Sequence, residues 1–364
     1  MPNNLLTPQI IANEALMVLE SNLTMAGLVH RDYSNEFVRV GDTVTIRKPA
    51  KFVAKNFTGE VSEQDITEGS VPVKLDRFRD VTVKVTSKEL TLDIKDFSEQ
   101  VVSPALSAIA QAIDTDLLTV GIEKAAKKAT VSATPVISDI AGVGKALDIS
   151  KAPRVNRRLI LPPEILYKYN TIDNFAKQAY KGDSDALKNS EIGKVYSCDT
   201  FMSQNCPENQ SATAGTATAY KVTGSKNATQ FTVSGGTPAT GTIKKGDQLI
   251  VNGYLYTCVE DLTLASGGGT LKVDQNIPAA ISTATDVKVI NKAHALGFHR
   301  NGLALVTRNL ELPLGAAKAY IASANGISVR VVMDYDSKTK TDTISFDVIY
   351  GVKELDENLL VDFS

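Results

Sequence analysis

The residues best suited to chemistry are few, and their spacing builds no reactive group. The three histidines are His30, His294 and His299, and the last two stand five residues apart. That spacing puts them on different faces of either a helix or a strand. Cys198, Cys206 and Cys258 form no Cys-x-x-Cys pair, so neither a zinc site nor a Cys–His dyad is supported. An odd number of cysteines cannot all be bridged, which fits reduced thiols in a reducing compartment. Gly142-Val143-Gly144-Lys145 has the outline of a phosphate loop, but Asp139 stands where the first glycine is needed and Ala146 replaces the Ser or Thr. It reads as a helix containing glycines. Gly267-Gly268-Gly269 has no helix behind it to supply a dipole for phosphate. Asp334-Tyr335-Asp336-Ser337-Lys338 begins like a calcium loop, then lacks the fifth-position acceptor and the required glycine. It reads as a hairpin turn. The expectation is a chain that is not an enzyme, with no catalytic, cofactor-binding or metal residues.

Charge, in contrast, comes in blocks. Arg47, Lys48, Lys51 and Lys55 are followed by Glu60, Glu63, Asp65 and Glu68 in a stretch poor in apolar residues. One reading is a solvated hairpin whose arms neutralise each other. The other is an arm that reaches over a neighbouring subunit, because a long polar excursion cannot stabilise itself by burial. These eight residues are the candidates for contacts between subunits.

The elements that must position these residues belong to an ordinary globular chain. The 364 residues are 43% hydrophobic and 22% charged, which excludes disordered and fibrous classes. Thirty-nine basic against forty-one acidic residues leave a net charge of -2, with no overall electrostatic footprint for nucleic acid or an anionic membrane. Met1 to Leu6 lacks a charged start followed by an apolar run, and no segment approaches eighteen uninterrupted apolar residues. A soluble, cytoplasmic product is expected.

Along the chain, Thr7 and Pro8 open an amphipathic helix. Phe37 to Val40 and Thr43 to Ile46 read as a hairpin, and Val81 to Val85 as a strand. Ser103 and Pro104 open a long helix to Lys128 whose apolar stripe includes Leu106, Ile109, Ile113, Leu117 and Val120. A helix over Ser138 to Ile149, a strand over Arg158 to Leu161 and a short helix after Pro163 follow. Asn170 to Ser190 is polar and loop-rich. From about Pro207 to Asn291 the composition turns to Thr, Ala, Gly and Ser, with about six short strands. Asn252-Gly253 is the two-residue turn of a hairpin there. This stretch separates two apolar strand-like segments, Gly193 to Ser203 and Ala295 to Thr307, so it reads as a small antiparallel β-barrel or sandwich inserted into a host domain. Gly326 to Met333, Thr343 to Val348 and Asn358 to Phe363 close the chain as strands.

The run Asn3 to Leu16, with Val40-Gly41-Asp42-Thr43-Val44 and Arg47-Lys48-Pro49, resembles the major capsid proteins of tailed phages with the HK97-like fold, in the branch of the phage P22 coat protein. Ile192-Gly193, Gly297-Phe298-His299-Arg300-Asn301, Leu310 to Pro313 and Val329 to Gly351 extend the likeness along the host domain. The resemblance implies an α+β HK97-like capsid fold. Residues 1–45 are then the N-terminal arm and entry strands, and 46–80 the extended loop. Residues 81–130 and 327–356 form the peripheral domain with its spine helix. Residues 131–206, 292–326 and 357–364 form the axial domain, and 207–291 the inserted β-barrel. It further implies self-assembly into hexamers and pentamers of an icosahedral virion shell in the host cytoplasm. The implied partners are a separate scaffolding protein, a portal protein and double-stranded DNA held without sequence-specific binding, and no membrane. An encapsulin-like nanocompartment shell shares the fold, and a β-domain surface adhesin accounts for the insert alone.

Overall fold

The structure is a computed structural model of the whole chain, and it describes residues 8–31, 43–48, 69–86, 98–132, 134–176, 192–207, 219–237, 240–290, 293–313, 318–324 and 327–364. Two compact units emerge. The first comprises Met1–Asn22, His30–Ala110 and Ala304–Leu355, and the second Leu23–Val29, Gln111–Leu303 and Asp356–Ser364.

The first unit is built on the strand Thr341–Glu354. It pairs antiparallel on one side with Arg77–Thr86 and on the other with Ile327–Asp336, which pairs in turn with Lys318–Ala324. Ile344, Phe346, Val348 and Tyr350 are buried at a spacing of two, as are Ile327, Val329 and Val331, so these two strands turn one apolar face to the core, which Arg77 and Arg79 border at the edge strand. Helix α1 (Pro8–Asn22) covers Lys318–Ala324 and Ile327–Asp336. Its buried Ile11, Ala15, Leu16 and Leu19 fall on one stripe. The strand expected at Val81 to Val85 starts at Arg77, because its register with Thr341–Glu354 runs from Arg77 with Tyr350 to Thr86 with Thr341.

The expected strand from Thr43 is present as Thr43–Lys48 and has a partner that local spacing does not announce. Its partner is Gly69–Lys74, with Arg47 opposite Ser70 and Lys48 opposite Gly69, while Phe37 to Val40 lie outside the described residues. Val44, Ile46, Val73 and Leu75 pack with Ala304, Val306 and Leu355. This apolar face selects the partner.

Helix α2 (Ser103–Glu123) is preceded by a wider turn, Ser98–Val102, so Ser103 is not the point where the helical path begins. Its apolarity is spent on the core: within Gln100–Glu123, which is long and apolar enough to cross a membrane by length and composition, 72% of the window is buried. The helix ends before the expected Lys128. Lys127–Ala129 instead pairs in parallel with the C-terminal strand, and Ala126 N donates to Glu357 O at 3.2 Å. The local preference of Lys-Ala-Ala-Lys-Lys for a helix is worth tenths of a kcal/mol per residue and yields to a buried ladder.

The second unit holds a six-stranded mixed sheet in the order Lys127–Ala129, Leu360–Phe363, Ala295–His299, Arg157–Leu161, Cys198–Met202, Lys194–Val195. Helix α3 (Ile137–Ile149) packs Ile140, Val143 and Leu147 on it, beside Ile165, Leu166 and Tyr169 of α4 (Pro163–Asn170). The Tyr169 and Phe363 rings stack at 6.2 Å. Gly297 sits where a side chain would overlap Val143 Cγ1, which lets α3 approach the sheet closely.

The described residues between 219 and 290, in the same unit, contain nine strands. Four form a sheet in the order Gly269–Lys272, Gln230–Thr237, Ala219–Gly224, Ile281–Asp286; three form another, Tyr254–Thr257, Gln248–Val251, Lys288–Ile290; and Thr242–Ile243 pairs Leu262–Thr263. The bridge between Cys258 and Val273 links the larger two, and among the described residues no ladder closes them into one continuous barrel. One apolar cluster lies wholly between Tyr220 and Val287, with Phe231 edge-on to Tyr256 at 5.0 Å. Ile281–Asp286 escaped the sequence reading because most of its side chains are exposed Ser, Thr, Ala and Asp, which carry no apolar alternation. Asn252 (φ 51°) and Gly253 (φ 77°) form the expected turn between Gln248–Val251 and Tyr254–Thr257.

Candidate assembly surfaces

The residues singled out for chemistry are placed apart, each in a structural role. His294 Nδ1 lies 2.7 Å from Asp362 Oδ1, both buried. Its backbone N–H donates to Pro207 O at 3.2 Å, which ties the chain entering the β-rich stretch to the chain leaving it. Burial holds the His299 imidazole below its ordinary pKa, so a neutral Nδ1 accepts from Asn301 N at 3.2 Å. His30 bridges to Ala304. All three cysteines are buried and unbridged. Among the described residues no three His, Cys, Asp or Glu side chains group as a metal site.

Of the eight charged candidates for contacts between subunits, Arg47 and Lys48 lie on the described strand Thr43–Lys48. Lys51, Lys55, Glu60, Glu63, Asp65 and Glu68 lie outside the described residues. The ladder brings Lys48 opposite Gly69, so the stretch 49–68 leaves and returns at neighbouring points. Its two charge blocks are thus joined to one two-stranded base.

Sequence spacing missed two buried ionic centres. Asp114, on α2, is 1% exposed and accepts from Thr24 N at 3.0 Å and Met25 N at 3.1 Å. It thereby anchors the one-turn helix Met25–Gly27. Burial outweighs these hydrogen bonds and raises its pKa from 3.8 to about 6. Between those values the folded chain holds a proton that the unfolded chain has lost, so this contribution to stability is full below pH 3.8 and is lost as pH rises through about 6. Comparing wild type with Asp114→Asn by urea unfolding, we expect wild type to gain about 2 kcal/mol relative to the variant between pH 7 and pH 4. A difference independent of pH contradicts this.

The second centre is Arg157, 1% exposed, at the start of Arg157–Leu161. Its guanidinium donates to Pro153 O (2.8 Å), Ala152 O (2.7 Å) and Asp148 Oδ1 (2.7 Å). The hydrogen bond from Arg157 holds the Asp148 carboxyl below its ordinary pKa. Around this clamp backbone strain collects: Lys151, Asn156, Tyr196 and Ser197 are four of the eight described non-glycine residues with positive φ. Such conformations cost of order 1 kcal/mol each and persist where the surroundings over-determine them. The corner exposes Ile149 (64%), Val155 (70%) and Tyr196 (49%). No periodicity links positions 149, 155 and 196, so the sequence carried no signal of the patch.

No family model and no curated protein matches the chain. Solved structures do. A chain of Mycobacterium phage Che8 superposes with a TM-score of 0.52 at 14% identity, over 94% of this chain and 91% of that one. A chain in the capsid structure of the cyanophage P-SCSP1u superposes with a TM-score of 0.51 at 12% identity, over 90% of this chain and 84% of that one. At such identities the likeness lies in the course of the backbone, and it runs along nearly the whole length of each chain: this chain has the HK97-like capsid fold.

Proposed function

We propose that the chain is a major capsid protein of a tailed phage, which self-assembles with a separate scaffolding protein into an icosahedral head around double-stranded DNA. The observation that carries this reading is the near end-to-end match to chains of phage particles. The net charge of -2 agrees with a shell that encloses DNA without trapping it. Residues 207–291 act as an inserted β domain, a reading supported by the self-contained apolar cluster between Tyr220 and Val287 and by the bond from His294 N to Pro207 O. The stretch 49–68 reaches a neighbouring copy, since it carries two opposed charge blocks with only scattered apolar residues, Phe52, Val53, Phe57, Val61 and Ile66, between them.

The test is coexpression with the scaffolding protein followed by electron microscopy. Closed shells of uniform diameter are expected, and a chain that stays monomeric overturns the reading. Reversing Arg47, Lys48 and Lys51 to Glu is expected to reduce shell yield about tenfold while subunit melting stays nearly unchanged. An equal loss of melting temperature assigns these charges to the subunit's own fold instead.

A further inference from the structure

Among the described residues, three two-residue turns hold positive φ at both positions. Asn252-Gly253 joins Val251 to Tyr254 (51° and 77°), and Ser266-Gly267 joins Ala265 to Gly268 (50° and 75°). The third, Tyr196-Ser197, joins Lys194–Val195 to Cys198–Met202 at 45° and 66°. Such a turn favours Asn and Gly, because a Cβ in the left-handed region meets the following carbonyl. Two of the turns use those residues. The third carries a steric cost at both positions, and a bulky ring at one of them.

Ser197 has a local reason to be there, since its Oγ accepts from Nη1 of the buried Arg157 at 3.5 Å. Tyr196 has none. Its side chain is 49% exposed, and among the described residues it makes no hydrogen bond and no ring contact. A strained position that displays an exposed ring, without packing it, marks a surface that meets another molecule.

Tyr196 and Ser197 line a single depression of about 690 Å³ with Lys145, Ile149 and Arg154. Asp148 is the acid in its lining, and it is held by Arg157 at 2.7 Å and Arg154 at 3.2 Å. Lys145 has no ion-pair partner among the described residues. Three cations therefore face one carboxylate beside an unpacked aromatic ring. Single-stranded nucleic acid uses both features, a base on the ring and phosphates on the cations. A duplex keeps its bases stacked on one another and leaves the ring idle, and an acidic peptide without aromatic side chains meets only the cations.

We propose that this depression binds single-stranded nucleic acid, with a base stacked on Tyr196 and the flanking phosphates held by Lys145 and Arg154. Ile149, 64% exposed, offers apolar surface to the sugar. The site stands apart from the shell reading and does not depend on it.

A fluorescent oligothymidylate is titrated into the full-length subunit at low salt and followed by anisotropy. Saturable binding is expected, weakened about tenfold or more by Tyr196→Ala and less than about twofold by Tyr196→Phe, because stacking needs the ring and not the hydroxyl. Tyr196→Asn separates the display from the fold: Asn suits the left-handed turn, so this variant is expected to melt higher than wild type while binding as weakly as the Ala variant. Lys145→Gln/Arg154→Gln is expected to lower the slope of log affinity against log salt by about 1.4, the value for two lost phosphate contacts on a single strand. Thermal melting verifies the fold of each variant. Unchanged binding by Tyr196→Ala overturns the proposal, as does competition by duplex DNA or polyglutamate equal to that of unlabelled oligothymidylate. A Tyr196→Asn variant that melts below wild type assigns the ring to the fold and overturns it too. Electron microscopy of the same wild-type chain keeps the two readings distinct. Shells without oligothymidylate binding overturn the site alone, and binding without shells supports the site while the shell reading fails.

Discussion

Replacing Arg157 with Met lowers subunit stability by about 3–5 kcal/mol, read as a shifted urea midpoint at unchanged m-value. The ion pair is the smaller part of this loss. Asp148 is 43% exposed and rehydrates once its partner is gone, so its share resembles that of a surface pair. The backbone carbonyl of Ala152 is different, because Ala152 is buried and loses its donor, whereas the exposed Pro153 can rehydrate its own carbonyl. A buried acceptor left without a partner costs about 1–3 kcal/mol. Losing the clamp also releases the frame around the positive-φ residues Lys151 and Asn156. Arg157→Lys keeps the charge but not the fork of donors, and it is expected to recover less than half of the loss. A loss below about 1 kcal/mol for the Met variant shows that water replaces the guanidinium without penalty.

The second large effect is expected at Gly351. A Cβ there overlaps the Lys74 carbonyl oxygen and lies 3.1 Å from Val73 Cγ1. Gly351 sits in the strand Thr341–Glu354 and does not need a positive φ, so by backbone preference alone Gly→Ala is favourable there. The overlap decides the sign. The obstacle is backbone, which no rotamer change relieves, and the Gly69–Lys74 strand has to move away from the cluster of Val44, Ile46, Val73 and Leu75. Gly351→Ala costs about 2–3 kcal/mol, and Gly351→Val more. Gly142 on α3 is the control: its nearest neighbour is Ala129 Cβ at 3.9 Å, so the same substitution stabilises by about 0.5–1 kcal/mol. Opposite signs at the two glycines in thermal unfolding support the argument, and equal signs refute it.

What was legible in the sequence was whatever a local period writes. Ile140, Val143 and Leu147 at helical spacing predict α3, which spans Ile137–Ile149. Asn252-Gly253 announces its turn because positive φ at both positions is cheap for that pair. The Thr- and Gly-rich stretch from 207 to 291 predicts strands, and strands run through its described part from Ala219 to Ile290. Three features escaped the sequence for one shared reason. Thr43–Lys48 pairs with Gly69–Lys74, Lys127–Ala129 leaves the helix for a parallel ladder, and Ile281–Asp286 joins a sheet with few apolar residues. Each is set by a partner at a distance in the chain, and the local preferences that oppose it are worth only tenths of a kcal/mol per residue.

The candidate surfaces divide in the same way. The charge blocks from Arg47 to Glu68 are visible in the sequence because like charges stand together in it. The cations that border α3, Lys127, Lys145 and Arg154, come from separate elements, and no spacing rule joins those positions. By itself the sequence determined most local elements, the absence of a recognised catalytic motif and the two charge blocks, since these follow from composition and from the periods of helix and strand. Only the tertiary structure decided which strands pair, where Asp114 and Arg157 lose their water, and which cations share a surface. Desolvation and long-range register belong to the packed chain, and no window of sequence contains them.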